Sequence, residues 1–142
     1  MEKIIVSKCL LGYPCRYDGK SVPCKEVMDL QDRYELIPVC PEELGGLPTP
    51  RIPAEIVGDK ILRADGADVT GEYILGAKLA YTYAAENGCT LAILKSKSPS
   101  CGKGEIYDGT YTRTLIIGNG ILTDLLLKNN IEVYTETEID KL

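Results

Sequence analysis

The stretch Lys3-Ile4-Ile5-Val6-Ser7 is a short apolar run rich in β-branched residues, and it predicts a buried strand at the start of the chain. Cys9 lies directly beyond it. Two later apolar runs also lead to a cysteine: Glu35-Leu36-Ile37-Pro38-Val39 precedes Cys40, and Leu91-Ala92-Ile93-Leu94 precedes the loop that holds Cys101. Each of these predicted strands therefore leads into a segment that carries a thiol.

Helical patterns alternate with the predicted strands. Apolar spacing predicts a short helix over Lys25–Arg33, and a longer helix is expected to start at Asp68-Val69-Thr70 and end near Asn87-Gly88. The other predicted elements are a loop with one helical turn over 41–53, a hairpin over 56–63, a short extended segment over 114–117, a helix over 119–129 and a last strand over 131–134. This alternation indicates an α/β fold: one domain over 1–142, Rossmann-like, with an open, mostly parallel sheet and helices on both faces.

The composition fits one folded domain and argues against a broad nucleic-acid interface. Of the 142 residues, 44% are apolar and 26% are charged, so a packed core is expected. The net charge is −5, whereas binding DNA or RNA requires many lysines and arginines to displace counterions, so we expect no DNA partner. Positive charge nevertheless gathers near the cysteine segments, at Lys8, Arg16, Lys20, Arg51, Lys95, Lys97 and Lys103.

The chain has six cysteines and no histidine, which limits the kinds of catalytic and metal-binding site that it can form. No segment approaches the roughly 20 apolar residues of a membrane span, and the N-terminal run is too short for a signal peptide, so we expect a cytoplasmic protein without a membrane partner. Thiols stay reduced in that compartment, which favours metal binding or catalysis over a disulfide framework. The lack of histidine excludes Ser–His–Asp triads, Cys–His pairs and histidine-bound zinc within one chain.

Cys9, Cys40 and Cys101 are expected to meet at one site. In an open parallel sheet, sites form beyond the carboxyl ends of the strands, and each of these cysteines follows such an end. Three thiolates together suit a soft metal or an iron–sulfur cluster. Three protein ligands on a cluster of four irons would leave one iron open to an exogenous ligand, as in catalytic metal sites.

The other cysteines receive different assignments. Cys24 and Cys89 are expected to be structural, because free cysteine often packs as a small buried apolar residue. Cys15 either binds metal together with Cys9 or is a redox partner of Cys9. A structural zinc on four cysteines is a further alternative, although no C-x2-C pair, its usual signature, is present.

Four motifs occur in order along the chain. They are Ser7-Lys8-Cys9-Leu10-Leu11-Gly12; Arg16-Tyr17-Asp18-Gly19; Cys40-Pro41-Glu42 with Gly45-Gly46-Leu47, Thr49-Pro50-Arg51 and Ala54-Glu55; and Leu94-Lys95 with Ser98-Pro99-Ser100-Cys101-Gly102. The stretches Ile106-Tyr107-Asp108-Gly109-Thr110 and Gly118-Asn119-Gly120-Ile121 fit the same pattern. Together they resemble the thiouracil desulfurase family, long described as a domain of unknown function, over most of the chain.

The resemblance implies an enzyme with a [4Fe-4S] cluster held by Cys9, Cys40 and Cys101, with Cys15 outside the ligand set. It further implies that the thiocarbonyl sulfur of the substrate binds the fourth iron and that water completes a C–S hydrolysis without redox chemistry. The expected substrate is a small thiolated base such as 2-thiouracil, and the expected products are uracil and sulfide.

Acidic and serine residues near the cluster are also implied by the resemblance. The best matches are Glu42 and Ser100, with Asp18 and Ser98 as alternates. We expect Glu42 to deprotonate the attacking water or protonate a ring nitrogen, and a serine to orient the base or to stabilise developing negative charge. Three cations, Arg16, Arg51 and Lys95, are expected to contact the carbonyl groups of the nucleobase or a phosphate.

Two other functions compete with desulfidation of a free base. One is desulfidation of 4-thiouridine in nucleotides or tRNA; the acidic balance and the lack of an added RNA-binding domain favour a small substrate over tRNA. The other is a redox module that holds a cluster or zinc without a substrate, and Cys15 as a fourth ligand would indicate it. The sequence leaves the oligomeric state open.

Overall fold

The computed structural model describes residues 1–142. In chain order the elements are β1 (Glu2–Ser7), α1 (Lys25–Met28), β2 (Tyr34–Val39), α2 (Pro41–Leu44), β3 (Ala54–Val57), β4 (Lys60–Arg63), α3 (Thr70–Glu86), β5 (Leu91–Leu94), β6 (Glu105–Tyr107), β7 (Leu115–Ile117), α4 (Ile121–Lys128) and β8 (Glu132–Thr135). Short 3-10 helices cover Lys8–Leu11, Asp29–Asp32 and Ile139–Lys141.

The central sheet has four parallel strands in the order β2-β1-β5-β8. β1 is an inner strand because its edges pair with β2 and with β5. Ile4, Ile5 and Val6 are fully buried, as their uninterrupted apolar run predicts for a strand covered on both faces. The α/β class with a parallel sheet is therefore confirmed.

Successive side chains of β1 enter two different cores, because neighbouring residues of a strand point to opposite faces. Ile5 packs in a core that includes Ala80 of α3 and Leu126 of α4. Ile4 and Val6 pack in a second core with side chains on the α1 side of the sheet, among them Val27. Helices thus cover both faces of the sheet, as expected.

Two small antiparallel sheets lie outside this central sheet. One pairs β3 with β4, which is the hairpin predicted over 56–63, although β3 begins earlier, at Ala54. The other pairs β6 with β7, and the sequence analysis missed β6. β6 spans only Glu105–Tyr107, so its sequence has too few residues to show a strand periodicity.

Some helix predictions need correction. The helix predicted over Lys25–Arg33 is α-helical only over Lys25–Met28 and continues as the 3-10 helix Asp29–Asp32. The long helix α3 ends at Glu86, close to its predicted end, and the Asp68 carboxylate accepts the N–H of Thr70 at its start. None of the helices is both long and apolar enough to cross a bilayer.

α2 packs on α3 through two glycines, and this contact positions the segment that follows Cys40. A Cβ built on Gly76 would overlap the carbonyl of Pro41, and one built on Gly45 would overlap the carbonyl of Glu72. The backbones of the two helices therefore touch where any larger residue would separate them.

Gly76→Ala should destabilise the protein by about 1–3 kcal/mol, because the added methyl pushes α2 away from α3. The matched control is Gly71→Ala in the same helix, where an added Cβ meets nothing within 4 Å. The control should have an unfolding free energy equal to or above that of the wild type, since alanine is the better helix former. Urea unfolding followed by circular dichroism measures both variants, and equal stability of the two would contradict the close contact.

Candidate functional site

A cavity of about 410 Å³ opens at the carboxyl edge of the central sheet. Ser7 and Val39, the last residues of β1 and β2, lie in its wall, and so does Lys95, which directly follows β5. Cys9, Cys40 and Cys101 all line this cavity. The structure thus brings together the three thiols that the sequence analysis placed at one edge, and all of them are free.

Each of the three cysteines is held by its own backbone segment. The carbonyl of Cys9 accepts the N–H groups of Gly12 and Val22, which closes the loop after β1. Cys40 is the residue before α2 and has an extended backbone. The N–H of Cys101 donates to the Ser98 hydroxyl, and its carbonyl accepts the hydroxyl of the fully buried Thr123.

The surroundings of Cys40 and Cys101 keep these two thiols protonated in the absence of a cation. The Cys15 thiol, burial and the Glu42 carboxylate raise the pKa of Cys40 far above its ordinary value. Burial and Glu42 likewise raise the pKa of Cys101, against a smaller lowering by the Ser7 hydroxyl, which lies 3.5 Å from the sulfur. A bound metal must therefore displace these protons, so metal binding will release acid.

Cys15 joins this group of thiols, a question that the sequence analysis left open. Its sulfur, the sulfur of Cys40 and a carboxylate oxygen of Glu43 lie within 4.8 Å of one another. Contact with Cys40 lowers the pKa of Cys15, but contact with Cys9 and burial outweigh it and raise that pKa to about 11. Cys24 and Cys89 do not line the cavity: Cys89 is buried in one core, and the half-buried Cys24 packs against the other.

The structure separates the predicted catalytic residues into two pairs. Glu42 and Ser98 line the cavity. Ser100 does not: its side chain is fully buried, and its hydroxyl is the one buried side-chain polar atom without a hydrogen-bond partner. Asp18 also lies outside the lining, where it accepts the N–H of Lys20.

The three predicted binding residues line the cavity, and each already contacts the protein. Arg51 donates to the carbonyls of Cys15 and Pro48 and to the Thr49 hydroxyl. The Lys95 ammonium lies 3.1 Å from a carboxylate oxygen of Glu136. Arg16 lies 3.9 Å from the Asp18 carboxylate.

Two further cations in the lining have no ion pair with the protein, Lys97 and Arg113. Both adopt a positive φ, at 71° and 61°. Lys97 stands out in the sequence as a basic residue beside the fourth motif, whereas no motif marks Arg113. Arg113 precedes β7, and its approach to the cavity depends on the β6–β7 hairpin, whose first strand the sequence did not reveal.

Sequence reasoning also gave no role to four other lining residues, Glu55, Tyr73, Tyr107 and Tyr111. Glu55 stood within the third motif, and that was the one signal that could have marked it. Tyr73 is buried; this burial and the Glu42 charge raise the pKa of its hydroxyl well above the ordinary value.

Comparison with known proteins assigns the chain to a family. The family described as 2-thiouracil desulfurase matches residues 4–138. The chain belongs to this family. The predicted resemblance is thereby confirmed, over nearly the whole chain and not only at the four motifs.

Two relatives illustrate the family. The Bacillus subtilis (strain 168) protein YbbK, described as uncharacterized, is 40% identical over 149 residues that cover 98% of this chain and 99% of YbbK. The solved structure of the [4Fe-4S]-dependent thiouracil desulfidase TudS is 42% identical and superposes with a TM-score of 0.89, covering 100% of this chain and 95% of TudS. The superposition confirms the predicted fold class.

The residues of this chain fit an iron–sulfur cluster. Iron–sulfur clusters bind cysteine thiolates, and the cavity is lined by three thiols from three separate segments, with a fourth beside them. The chain has no histidine that would favour zinc or single-iron chemistry there. The donor set therefore agrees with the cofactor in the name of TudS.

Proposed function

We propose that this chain is a [4Fe-4S]-dependent desulfidase that converts a small thiolated pyrimidine such as 2-thiouracil, together with water, into uracil and sulfide. The observation that carries the proposal is the convergence of Cys9, Cys40 and Cys101 on one cavity that also holds a buried carboxylate. Membership of the 2-thiouracil desulfurase family and the likeness to TudS support it. The six free thiols agree with a reducing, cytoplasmic location.

Cys9, Cys40 and Cys101 would hold the cluster, which supplies a Lewis-acidic iron that polarises the thiocarbonyl bond. Cys9 and Cys40 lie within two residues of a strand end, and Cys101 lies in the loop that follows β5, so the central sheet sets where all three segments start. Burial of the thiols would keep bulk water from the sulfur chemistry, and the substrate would enter through the cavity that they line.

Glu42 is the group that moves protons in this proposal. It is buried, it lines the cavity, and one of its oxygens lies 3.6 Å from the Cys40 sulfur. It would take a proton from the attacking water and return a proton to the departing sulfide or to a ring nitrogen. The reaction then balances: C=S and water give C=O and hydrogen sulfide.

In this proposal Ser98 would donate a hydrogen bond to the substrate, and it lines the cavity. Its hydroxyl oxygen accepts the N–H groups of Ser100, at 3.0 Å, and of Cys101, at 2.8 Å. These two donors occupy its lone pairs, so its proton is free for a developing negative charge on the substrate. Ser100 lies behind this residue, and we assign it no contact with substrate.

Arg16, Arg51 and Lys95 would bind the polar edge of the base. Arg51 is braced by three hydrogen bonds to Pro48, Thr49 and Cys15, so it presents its charge to the cavity in one orientation. A cation held in this way binds a carbonyl with little loss of side-chain entropy.

Cys40→Ser should abolish cluster binding, because it removes one of three ligands. After anaerobic reconstitution the wild type should be brown and hold about four irons per chain, whereas the variant should be nearly colourless and release no sulfide from 2-thiouracil. Iron analysis and the visible spectrum measure the effect, and Cys24→Ser is the control outside the cavity.

Cys15→Ser separates catalysis from the redox-module alternative. If three cysteines hold the cluster, this variant keeps its iron and its activity. If Cys15 is a fourth ligand, it loses iron as Cys40→Ser does, and no iron remains open to the substrate sulfur. That second result would refute the desulfidase proposal.

Glu42→Gln should lower the turnover number by about 10²–10⁴-fold while the iron content stays unchanged, because the amide cannot exchange the proton. Sulfide release from 2-thiouracil and iron analysis of the same sample measure the two effects. Glu86→Gln, at the exposed end of α3, is the matched control. Full activity of Glu42→Gln would remove Glu42 from the mechanism.

A second candidate substrate is a thiolated nucleotide, favoured by Lys97 and Arg113. Both cations line the cavity without a carboxylate partner, and phosphate is a group that such cations bind. We expect Arg113→Ala to raise the KM for 4-thiouridine monophosphate at least about tenfold and to leave that for 2-thiouracil within about twofold. Equal effects on both substrates would favour the free base, and turnover of thiolated tRNA in the same assay tests the polymer.

A further inference from the structure

The Glu55 carboxylate is a buried charge that the proposed mechanism does not use. Glu55 lies in β3, is 8% exposed and lines the cavity. The Glu55 side chain has no ion pair with any lysine or arginine. A carboxylate that is removed from water needs hydrogen-bond donors for both of its oxygens. An oxygen that the protein leaves without a donor is therefore a candidate contact for a ligand.

The two oxygens of Glu55 have different surroundings. One oxygen, Oε1, accepts the backbone N–H groups of Gly109, at 3.0 Å, and Tyr111, at 3.1 Å. The other, Oε2, accepts no hydrogen bond from the protein. It is also not sealed off, since Ser100 Oγ is the one sealed side-chain atom without a partner. Oε2 therefore keeps accessible surface and an unused capacity to accept a hydrogen bond, in a residue that lines the cavity.

The position of this carboxylate is fixed from several directions. Glu55 pairs with Leu62 across the β3–β4 hairpin. The Tyr111 hydroxyl donates to the carbonyls of Leu62 and Arg63, so the loop that supplies the N–H donors is tied to the same hairpin. An acceptor held in this way can discriminate between ligands, because it cannot turn aside from a poor partner.

We propose that Glu55 is a specificity residue that accepts a ring N–H of the substrate. An ionised carboxylate only accepts hydrogen bonds, so the atom that meets Oε2 must be a donor. Pyrimidines of the 2-thiouracil type carry N–H groups at both ring positions beside the thiocarbonyl, whereas an N-methylated ring lacks one of them. Glu55 would thus select unsubstituted thiolactam rings; this inference rests on the proposed desulfidase function.

Glutamine at position 55 distinguishes this role from a structural one. Glu55→Gln keeps an oxygen that accepts the N–H groups of Gly109 and Tyr111 and replaces the unpaired acceptor Oε2 by an NH2 donor. An anchor for the loop would survive this change, while a receptor for a ring N–H would face a donor instead. Thermal unfolding should therefore differ little between the variant and the wild type.

The experiment compares kcat/KM of reconstituted wild type and Glu55→Gln on 2-thiouracil, 1-methyl-2-thiouracil and 3-methyl-2-thiouracil. The wild type should turn over one methyl isomer at least about tenfold less efficiently than 2-thiouracil. Glu55→Gln should lose at least about tenfold on 2-thiouracil, and its own penalty for that isomer should shrink to about threefold or less. Glu105→Gln, exposed in β6, is the matched control and should behave as the wild type.

Failure of the Glu55 role and failure of the desulfidase function give different results. A methyl penalty of equal size in wild type and Glu55→Gln is steric and overturns the role of Glu55, as does the lack of any penalty in the wild type. If the loaded wild type releases no sulfide from any of these compounds, the desulfidase proposal fails. In that case, calorimetry measures the Kd of uracil, 1-methyluracil and 3-methyluracil for the wild type and for Glu55→Gln. The same reduction of the methyl penalty, now as a ratio of Kd values, then tests the role of Glu55.

Discussion

The parallel pairing of β1 with both β2 and β5 is the constraint on which the site depends. Parallel strands end at the same edge of a sheet, so the segments after these three strands must start side by side. Cys9, Cys40 and Cys101 are thereby gathered around one cavity although they are far apart in sequence. The burial of Ile4, Ile5 and Val6 on both faces of β1 stabilises this arrangement.

The close contact of α2 with α3 fixes the position of the segment that begins at Cys40, beyond what the central sheet alone determines. α2 begins directly after Cys40 and carries Glu42, so its distance from α3 sets where a thiol and a carboxylate sit. Gly45 and Gly76 allow the two backbones to touch, and Tyr73 of α3 reaches the same cavity. Packing of the core and placement of the proposed proton-transfer group are thus one structural feature.

Residues of the two small sheets complete the lining of the cavity. β3 supplies Glu55, and the β6–β7 hairpin supplies Tyr107, Tyr111 and Arg113. The three thiols follow strands of the central sheet, whereas these four lining residues come from short hairpins and their loops. Changes in the hairpins can therefore alter this part of the cavity lining without moving the cysteines.

The sequence by itself determined the α/β class, the strands that bracket the cysteines and the family, because apolar periodicity and ordered motifs are local properties of a chain. Only the tertiary structure decided that the Cys15 sulfur lies beside that of Cys40 and that Ser100 and Asp18 lie outside the cavity lining. It also decided that Glu55 accepts a hydrogen bond from Tyr111. The reason is that residues 55 and 111 are far apart along the chain. They meet because the loop after β6 folds back on β3, and β6 is too short to leave a periodic signal in the sequence.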